Sequence, residues 1–233
     1  MNSKTAILTG ISSDIGQAIA KALSAQGWRI IGLYHKTKPT IADEFYQIDL
    51  GDPAATKTIA EKLAKDLPQL DALIHVAGIW HDKDSVLADK KLSDFTPGQI
   101  ISTMNVGITS LMLLCNRLLP IMKDGTVIGI SGTFSDVSGG AAGWLPYYTS
   151  KRALEDFLVG LSQDMPAIKV FGISPSDTAT TPYEKFYPEY AKDAQSPDVI
   201  ADLVVKLISD DNEFKSGEII EVREGKAKEG YHV

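Results

Sequence analysis

The sequence contains very little cysteine and no long uninterrupted apolar run. Cys115 is the only cysteine among 233 residues, so no intrachain disulfide can form and a reducing compartment is expected. No apolar run approaches the roughly 18 residues of a membrane span, and the N-terminus lacks the basic region and cleavage site of a signal peptide. These absences predict a cytoplasmic protein with no membrane partner.

Positive charge is also scarce. The chain has 23 Lys and Arg against 30 Asp and Glu, for a net charge of −7. An acidic chain is a poor general binder of nucleic acid, so no nucleic-acid partner is predicted. The chain lacks the Gly-Lys-Ser/Thr ending of a P-loop, and no His, Cys and acidic residues are spaced as metal ligands. Neither phosphoryl transfer nor a bound metal is therefore predicted.

Apolar segments alternate with helical patterns along the whole chain. Continuous apolar runs, such as residues 30–34 and 127–130, are typical of strands buried on both faces by helices. Strands are predicted at 4–9, 28–34, 45–48, 70–76, 125–131, 168–174 and 218–222. Helices are predicted at 14–26, 53–66, 98–122, 147–164 and 197–209. The pattern predicts a single α/β domain over residues 1–233, with a doubly wound parallel sheet and helices on both faces.

A small polar turn, GISSDIG at residues 10–16, separates the first predicted strand from the first helix. Gly10 and Gly16 allow the tight turn and the close backbone approach that a pyrophosphate needs, and the helix N-terminus offers N–H groups to an anion. Ser12 and Ser13 either donate to phosphate or cap the helix. We expect Asp14 to turn away from the phosphate and cap the helix. The alternative is an ordinary turn between strand and helix.

Tyr147 and Lys151 stand four residues apart, which places them on one face of a helix. A tyrosine normally loses its proton near a pKa of about 10. A neighbouring positive charge lowers that pKa, and the phenol can then exchange a proton with a carbonyl oxygen near neutral pH. Tyr148 is out of register with Lys151. The spacing therefore favours Tyr147 as a general acid and base.

Together the two motifs resemble the short-chain dehydrogenase/reductase family. The further partial matches, in chain order, are Asp49-Leu50, HVAG at 75–78, Asn105, PSDTAT at 175–180 and SGEIIEV at 216–222. The resemblance covers nearly the whole chain. It implies a Rossmann-type fold and an oxidoreductase that transfers hydride between a nicotinamide cofactor and a carbonyl or secondary alcohol, with Tyr147 as proton donor or acceptor.

The resemblance also implies roles for individual residues. Lys151 would lower the pKa of Tyr147 and hold the nicotinamide ribose. Asn105 would order a proton-relay water below Lys151; its alternative role is to kink a helix with a backbone partner. The implied cofactor-binding residues are Gly10, Ser12, Ser13, Ile15, Gly16, Lys36, Asp49, Leu50, Ala77, Gly78, Tyr147, Lys151, Thr178 and Thr180.

The family's fourth catalytic member, a serine just after the fifth strand, is displaced here. Aligning the strand by its apolar residues places Gly132 at the expected hydroxyl position, between Ser131 and Thr133. A hydroxyl at this point would bond the substrate carbonyl and stabilise developing charge. We assign the role to Ser131, with Thr133 as the alternative.

The segment after the second strand predicts the cofactor. Family members that prefer NAD place an acid there to bind the ribose 2′-hydroxyl. This chain has YHKTK at 34–38 and no acid until Asp43. Lys36 would attract a 2′-phosphate, so NADP(H) is predicted rather than NAD(H); the alternative is a solvated basic loop.

Two further predictions concern surfaces. Residues 176–195 are rich in Tyr and Phe and are predicted to form a substrate lid, the alternative being a short helix with its aromatic side chains packed inward. Trp80, His81, Trp144 and Tyr183 are candidate walls of the substrate pocket, the alternative being that they are surface or packing aromatics. A homodimer or homotetramer is implied by the resemblance, with Leu111, Leu114, Leu118 and Leu158 either facing a partner subunit or packing in the core.

A small-molecule carbonyl or alcohol is the predicted substrate, and its identity is left open. The displaced serine and Asp14 keep a second class of function in view, a nucleotide-binding sensor or scaffold with little catalysis. A reductase of carrier-bound acyl groups is a third possibility.

Overall fold

The computed structural model describes residues 3–133 and 142–227, which form one sheet of eight strands. The strands are β1 (Thr5–Thr9), β2 (Arg29–Tyr34), β3 (Glu44–Gln47), β4 (Ala72–His75), β5 (Thr126–Ile130), β6 (Lys169–Pro175), β7 (Ile219–Arg223) and β8 (Lys226–Ala227). Their order is β3-β2-β1-β4-β5-β6-β7-β8, and only the β7–β8 pair is antiparallel. The seven predicted strands and the doubly wound parallel sheet are confirmed, and the two-residue β8 was not predicted.

Helices cover both faces of this sheet. They are α1 (Asp14–Ala25), α2 (Pro53–Asp66), α3 (Pro97–Met104), α4 (Ser110–Leu118), α5 (Leu145–Asp164), α6 (Thr181–Phe186) and α7 (Pro197–Ile208). The helix predicted at 98–122 is present, but a π-helical turn at Asn105–Thr109 separates α3 from α4, and a 3-10 turn ends the run at Leu119–Ile121. Such a turn inserts one extra residue and often marks a functional site.

Two hydrophobic cores fill the space between the sheet and its helices. One packs α2, α4 and α5 against the sheet, and the other packs α1 and α7 against the opposite face. Leu111, Leu114, Leu118 and Leu158 all lie in the first core with no exposed surface. The prediction that these leucines face a partner subunit was wrong, because the parallel sheet needs them to cover its apolar strands.

The strand order reverses at β1, which lies between β2 and β4. In doubly wound sheets the crevice outside the carboxyl ends of the strands at this switch point binds ligands. The turn after β1 and the segments after β4 and β5 therefore meet at one edge of the sheet.

One described helical run, Pro97–Ile121, is long and apolar enough to cross a bilayer when judged by length and composition alone. It holds Leu111, Leu114 and Leu118, which are fully buried within this single chain. The run therefore serves as a core helix in this fold, and it does not indicate a membrane protein.

Candidate active site

The turn after β1 packs tightly against the segment that follows β4. Gly10 has a φ of +64°, and a Cβ there would lie 2.8 Å from the Ala77 nitrogen. A Cβ on Gly16 would lie 2.3 Å from the carbonyl oxygen of Gly10. Both positions therefore require glycine, the first for its backbone conformation and the second for close approach. The result is a cradle of backbone atoms at the N-terminus of α1.

Ser13 caps α1, since its Oγ accepts from the Gly16 N–H at 3.0 Å. The prediction that Asp14 is the cap was wrong. Asp14 is the first residue of the helix, and its carboxylate accepts from the Thr181 N–H at 2.8 Å and the Thr181 hydroxyl at 3.2 Å. Asp14 thus joins the cradle to the beginning of α6.

The basic segment after β2 lies beside the cradle. Ser12 Oγ donates to the carbonyl oxygen of Thr37 at 2.5 Å, next to the exposed Lys36. Asp49 accepts from the Gly51 N–H at 2.8 Å and lies 3.8 Å from the His35 ring. Ile15 is half-buried in α1, and Leu50 is buried beside Asp49. Lys36 and Asp49 therefore occupy the β2 side of the crevice.

Tyr147 and Lys151 lie near the N-terminus of α5, in contact with the end of β5. Lys151 Nζ donates to the Ile130 carbonyl at 2.7 Å and lies 5.5 Å from the centroid of the Tyr147 ring. A Cβ on Gly78 would lie 3.1 Å from Lys151 Nζ and 3.7 Å from Tyr147 Cε2. The structure thus brings together the predicted Tyr–Lys pair and the glycine after β4.

Burial sets the protonation of this pair. Desolvation raises the pKa of Tyr147 well above its ordinary value, and it lowers the pKa of Lys151 to about 8, with the Glu155 carboxylate opposing the decrease. The predicted lowering of the Tyr147 pKa by Lys151 is therefore not found in this structure, because loss of water outweighs an ammonium that the Ile130 carbonyl holds.

The two candidate substrate hydroxyls both have protein acceptors. Ser131 Oγ donates to the fully buried Glu155 at 2.6 Å, and Thr133 Oγ1 donates to the Ser174 carbonyl at 2.8 Å. A serine has one proton to donate. Ser131 therefore does not direct its proton at a substrate in this conformation, and Gly132 between the two offers no side chain.

Glu155 was missed in the sequence, although it stands four residues after Lys151 on the same helix face. Its carboxylate also accepts from Arg152 Nη1 at 2.5 Å. Lys151 and Glu155 thus bind consecutive residues at the end of β5, namely Ile130 and Ser131. The Lys151–Glu155 spacing was the signal available in the sequence.

The Asn105 side chain and the His75 ring fix the neighbouring backbone. Asn105 Nδ2 donates to the Gly51 carbonyl at 2.9 Å, at the point where the π-helical turn begins. His75 lies between Thr9 Oγ1 at 2.9 Å and the Val106 carbonyl at 3.1 Å. The Asn105 side chain therefore has the backbone partner and the helix distortion of its alternative role.

Thr178 and Thr180 make local bonds in the segment after β6. Thr178 Oγ1 donates to the Ser176 carbonyl at 2.9 Å, and Thr180 caps α6 by accepting from the Tyr183 N–H at 3.4 Å. The short helix predicted as the alternative to a lid is present as α6.

The predicted pocket walls come together above Tyr147. The Trp80 ring lies 4.5 Å from His81, 6.5 Å from Trp144 and 6.5 Å from Tyr183, measured between centroids. Trp144 in turn lies 6.1 Å from the Tyr147 ring. Within residues 3–133 and 142–227, no group of three His, Cys or acidic side chains is arranged to hold a metal.

Known proteins share this architecture over nearly its whole length. Blue fluorescent protein from a metagenomic library, solved with NADPH, matches at a TM-score of 0.83 with 25% identity, covering 96% of this chain and 98% of that one. A short chain dehydrogenase from Burkholderia cenocepacia J2315, solved with NADP, matches at 0.82 with 24% identity, covering 95% and 97%. The second match, at this identity, supports the fold alone.

Sequence comparison gives the family. The 3-oxoacyl-(acyl-carrier-protein) reductase FabG of Escherichia coli K12 is 26% identical over 241 residues, covering 95% of this chain and 96% of the relative. The 2-dehydro-3-deoxy-D-gluconate 5-dehydrogenase of Bacillus subtilis strain 168 is 31% identical over 196 residues, covering 77% and 73%. A family model described as short chain dehydrogenase matches residues 4–190. The chain belongs to the short-chain dehydrogenase family.

Proposed function

We propose that this chain is an NADP(H)-dependent oxidoreductase that acts on a carbonyl compound or its secondary alcohol, with Tyr147 as the group that moves the proton. The observation that carries the proposal is the meeting of Tyr147, Lys151 and Gly78 at the carboxyl edge of the sheet. This is where a doubly wound fold binds its ligand, and here a half-buried phenol lies beside a buried amine.

The crevice has features that fit a dinucleotide. Gly10 and Gly16 leave a backbone cradle at the N-terminus of the twelve-residue α1, where N–H groups favour an anion. Lys36 is exposed beside this cradle and would pair with a 2′-phosphate. The NADPH complex of the similar blue fluorescent protein supports the same choice over NAD(H). When bound, NADP(H) supplies the hydride in reduction or accepts it in oxidation.

The protonation of Tyr147 suits reduction. Because burial raises its pKa, the phenol keeps its proton at neutral pH and donates it from Oη to the substrate oxygen as the carbonyl carbon is reduced. In the oxidation direction the phenolate would need a nearby positive charge, and protonated Lys151 supplies one. We propose that Asn105 acts in the same site by fixing the backbone at the π-helical turn.

Ser131 remains our proposed substrate hydroxyl, with Thr133 as the alternative. Each would have to exchange its present acceptor for a substrate oxygen, Glu155 in one case and the Ser174 carbonyl in the other. This requirement favours, as a second candidate function, a nucleotide-binding sensor or scaffold that turns over slowly.

We also propose that residues 176–195 form a substrate lid, that the protein is cytoplasmic, and that it assembles as a homodimer or homotetramer. The bond from Asp14 to Thr181 supports the lid, because it ties the segment over the cradle. Ile101 and Met112 support assembly, since they are 59% and 48% exposed on α3 and α4. Apolar surface of this kind is typical of subunit contacts.

The test is oxidation of NADPH, with NADH in parallel, over ketones, aldehydes, quinones and acyl thioesters. Tyr147→Phe should retain NADPH binding and lose about 10²–10⁴-fold in turnover, the usual contribution of a positioned proton donor. Tyr148→Phe is the matched control, because that neighbouring phenol is out of register with Lys151, and it should stay close to wild type. Equal turnover by both variants would remove Tyr147 from the mechanism.

Cofactor choice and the sensor alternative are resolved by the same assay. Lys36→Ala should raise the KM for NADPH and leave the KM for NADH nearly unchanged. Tight NADPH binding without turnover on any member of the panel would favour the sensor. Equal effects of the substitution on both cofactors would contradict the proposed pairing with a 2′-phosphate.

A further inference from the structure

Five aromatic rings from three separate segments form one surface beside Tyr147. This aromatic wall consists of Trp80, which follows β4, Trp144, which precedes α5, and Tyr183, Phe186 and Tyr187 from α6 and its end. Trp80 contacts all four other rings of the wall, at centroid distances of 6.2 to 6.5 Å. Three segments that are distant in sequence thus place large aromatic side chains in contact with one another.

The wall is continuous with the proton donor. The Trp144 ring lies 6.1 Å from the Tyr147 ring and 6.5 Å from the Tyr187 ring, so a single ring separates the two phenols. Every ring of the wall is only half-buried, and none belongs to either hydrophobic core. The rings therefore retain apolar surface that a bound molecule next to Tyr147 can cover.

The Tyr187 hydroxyl has no hydrogen-bond partner among residues 3–133 and 142–227. Its oxygen is shielded from solvent and, in the described part of the chain, makes no hydrogen bond. A buried polar group without a bond is destabilising, and such groups usually have a partner. By contrast, the Ser131 and Thr133 hydroxyls have protein acceptors. The Tyr187 hydroxyl is therefore the one among these three that can donate without first giving up a bond.

The charges around the wall select against an anionic ligand. Asp177 lies beside the Tyr183 hydroxyl and Asp89 beside Tyr187, so both nearby acids would repel a carboxylate. Lys185 lies 4.7 Å from the Phe186 ring, but its ammonium donates to the Lys83 carbonyl at 2.7 Å. This bond holds the Lys185 ammonium in place without removing its charge, so among these groups the two acids outnumber the one lysine.

We propose that the substrate is an uncharged, planar aromatic ketone or aldehyde, or the corresponding alcohol, which packs against the aromatic wall while the Tyr187 hydroxyl donates to its carbonyl or alcohol oxygen. The inference rests on the proposed function and specifies its substrate class. Flat rings recognise flat, electron-rich molecules by offset stacking and edge-to-face contact. A buried donor also discriminates strongly against ligands that leave it unpaired.

The test uses three matched probes, namely acetophenone, cyclohexyl methyl ketone and 4-acetylbenzoate. Calorimetry measures the Kd of each in the presence of NADP⁺, and NADPH oxidation gives KM and kcat separately. KM and Kd are the deciding readouts, because conjugation changes the intrinsic reactivity of a carbonyl and hence kcat. Acetophenone should bind about two- to tenfold more tightly than cyclohexyl methyl ketone, which is the range for aromatic contacts, and it should also bind more tightly than 4-acetylbenzoate.

Tyr187→Phe should weaken acetophenone binding by about two- to tenfold, which is the range for one net hydrogen bond. Its melting temperature should be unchanged or higher, since the substitution removes an unpaired buried hydroxyl. Tyr190→Phe is the matched control, because Tyr190 is a tyrosine of the same segment and is 66% exposed. A melting temperature that falls in Tyr187→Phe would show that the hydroxyl has a protein partner after all, and would overturn its proposed role.

The outcomes separate this inference from the proposed function. Turnover of many carbonyls with no preference for acetophenone, and with equal KM in Tyr187→Phe, would overturn the inference and leave the oxidoreductase intact. Acetophenone binding that weakens in Tyr187→Phe, without turnover of any probe, would support the pocket and contradict the oxidoreductase. Absence of binding by all three probes would overturn this inference, and absence of turnover over the whole carbonyl panel would overturn the oxidoreductase as well.

Discussion

Tyr147 stands between two regions of opposite character. On the α5 side are Lys151, Glu155 and His75, which are at most 2% exposed and are bonded to neighbouring atoms at 2.5 to 3.1 Å. On the other side is the aromatic wall, which is half-buried and held mainly by ring contacts at 5.4 to 6.5 Å. The α5 side holds its polar groups in fixed orientations, and the aromatic wall presents apolar surface that a ligand can cover.

The difference indicates how each region would work in an oxidoreductase. Buried hydrogen bonds tolerate little displacement, because a lost partner leaves an unsatisfied group in a medium of low polarity. Contacts between rings are weakly directional and can repack. Substitutions on the α5 side should therefore alter protonation and stability, and substitutions in the wall should alter mainly the affinity for substrate.

The largest expected effect on the α5 side is the pH dependence of folding stability that arises from the His75 imidazole. Burial lowers its pKa to about 3, with the Lys151 ammonium adding to the decrease. The unfolded chain takes up a proton below about pH 6.5 and the folded chain does not, so stability is present at neutral pH and is lost as pH falls. We expect a loss of about 1 kcal/mol per pH unit below 6.5 from this group.

Denaturant unfolding between pH 7 and pH 5 measures that loss. His75→Asn keeps an amide at the position of Nδ1, where it can bond Thr9 but cannot titrate, and the Val106 carbonyl keeps its bond from the Ser110 hydroxyl at 2.9 Å. The stability of this variant should therefore depend less steeply on pH than that of the wild type. His35→Asn is the matched control, because the His35 side chain is 57% exposed. Parallel pH profiles for wild type and His75→Asn would show that the burial of the imidazole has no energetic consequence.

Local sequence patterns predicted the scaffold better than the atomic contacts of the site. Apolar runs located all seven parallel strands, since strands buried on both faces leave a continuous signal. The helix at 98–122 was predicted as one run, and only the alternative role of Asn105 anticipated a distortion, because the single residue inserted by the π-helical turn at Asn105–Thr109 does not change the apolar period of a long helix. The short β8 was missed because two exposed residues carry no periodicity.

Side-chain partners in the site were harder to predict, because each depends on a segment distant in sequence. Asp14 was expected to cap its own helix, but it bonds Thr181, which is 167 residues away. The Tyr147–Lys151 pair was located by spacing, but its protonation was not, because desolvation depends on the whole surrounding fold. Lys151–Glu155 had the same helical spacing, yet only the structure shows Glu155 buried against Ser131.

A second, smaller effect tests whether Glu155 acts through its charge or only through packing. The carboxylate favours the charged form of Lys151, whose pKa burial lowers to about 8, while Arg152 and the Ser131 hydroxyl bond the carboxylate itself. If turnover needs the ammonium, activity falls as pH rises through about 8. Glu155→Gln keeps an acceptor for Ser131 but removes the charge, so the alkaline limb should move down by about one unit.

The pH profile of kcat at saturating NADPH measures this shift. Asp156→Asn is the matched control, since it removes one negative charge from the adjacent exposed position of α5. Its alkaline limb should stay within about 0.2 units of wild type, because exposed charges interact weakly through water. If the alkaline limb of the kcat profile does not move in Glu155→Gln, then Glu155 has a packing role only. The α5 side would then act through packing, as the aromatic wall does.

The smallest expected effect lies in the aromatic wall. Trp80→Leu removes the ring that contacts the other four members of the wall but keeps an apolar side chain. Aromatic contacts contribute about 0.5–1.5 kcal/mol beyond buried area, which corresponds to a rise of roughly two- to tenfold in KM for an aromatic ketone. Because the ring does not touch the groups that move the proton, kcat should stay within about twofold, the signature of lost uniform binding.

Trp28→Leu is the matched control. It removes an indole just before β2, at the opposite end of the strands, and should change neither kcat nor KM. If kcat falls in Trp80→Leu while KM stays unchanged, the wall positions Tyr147. The contrast between an α5 side that orients the reacting groups and a wall that only binds substrate would then be wrong.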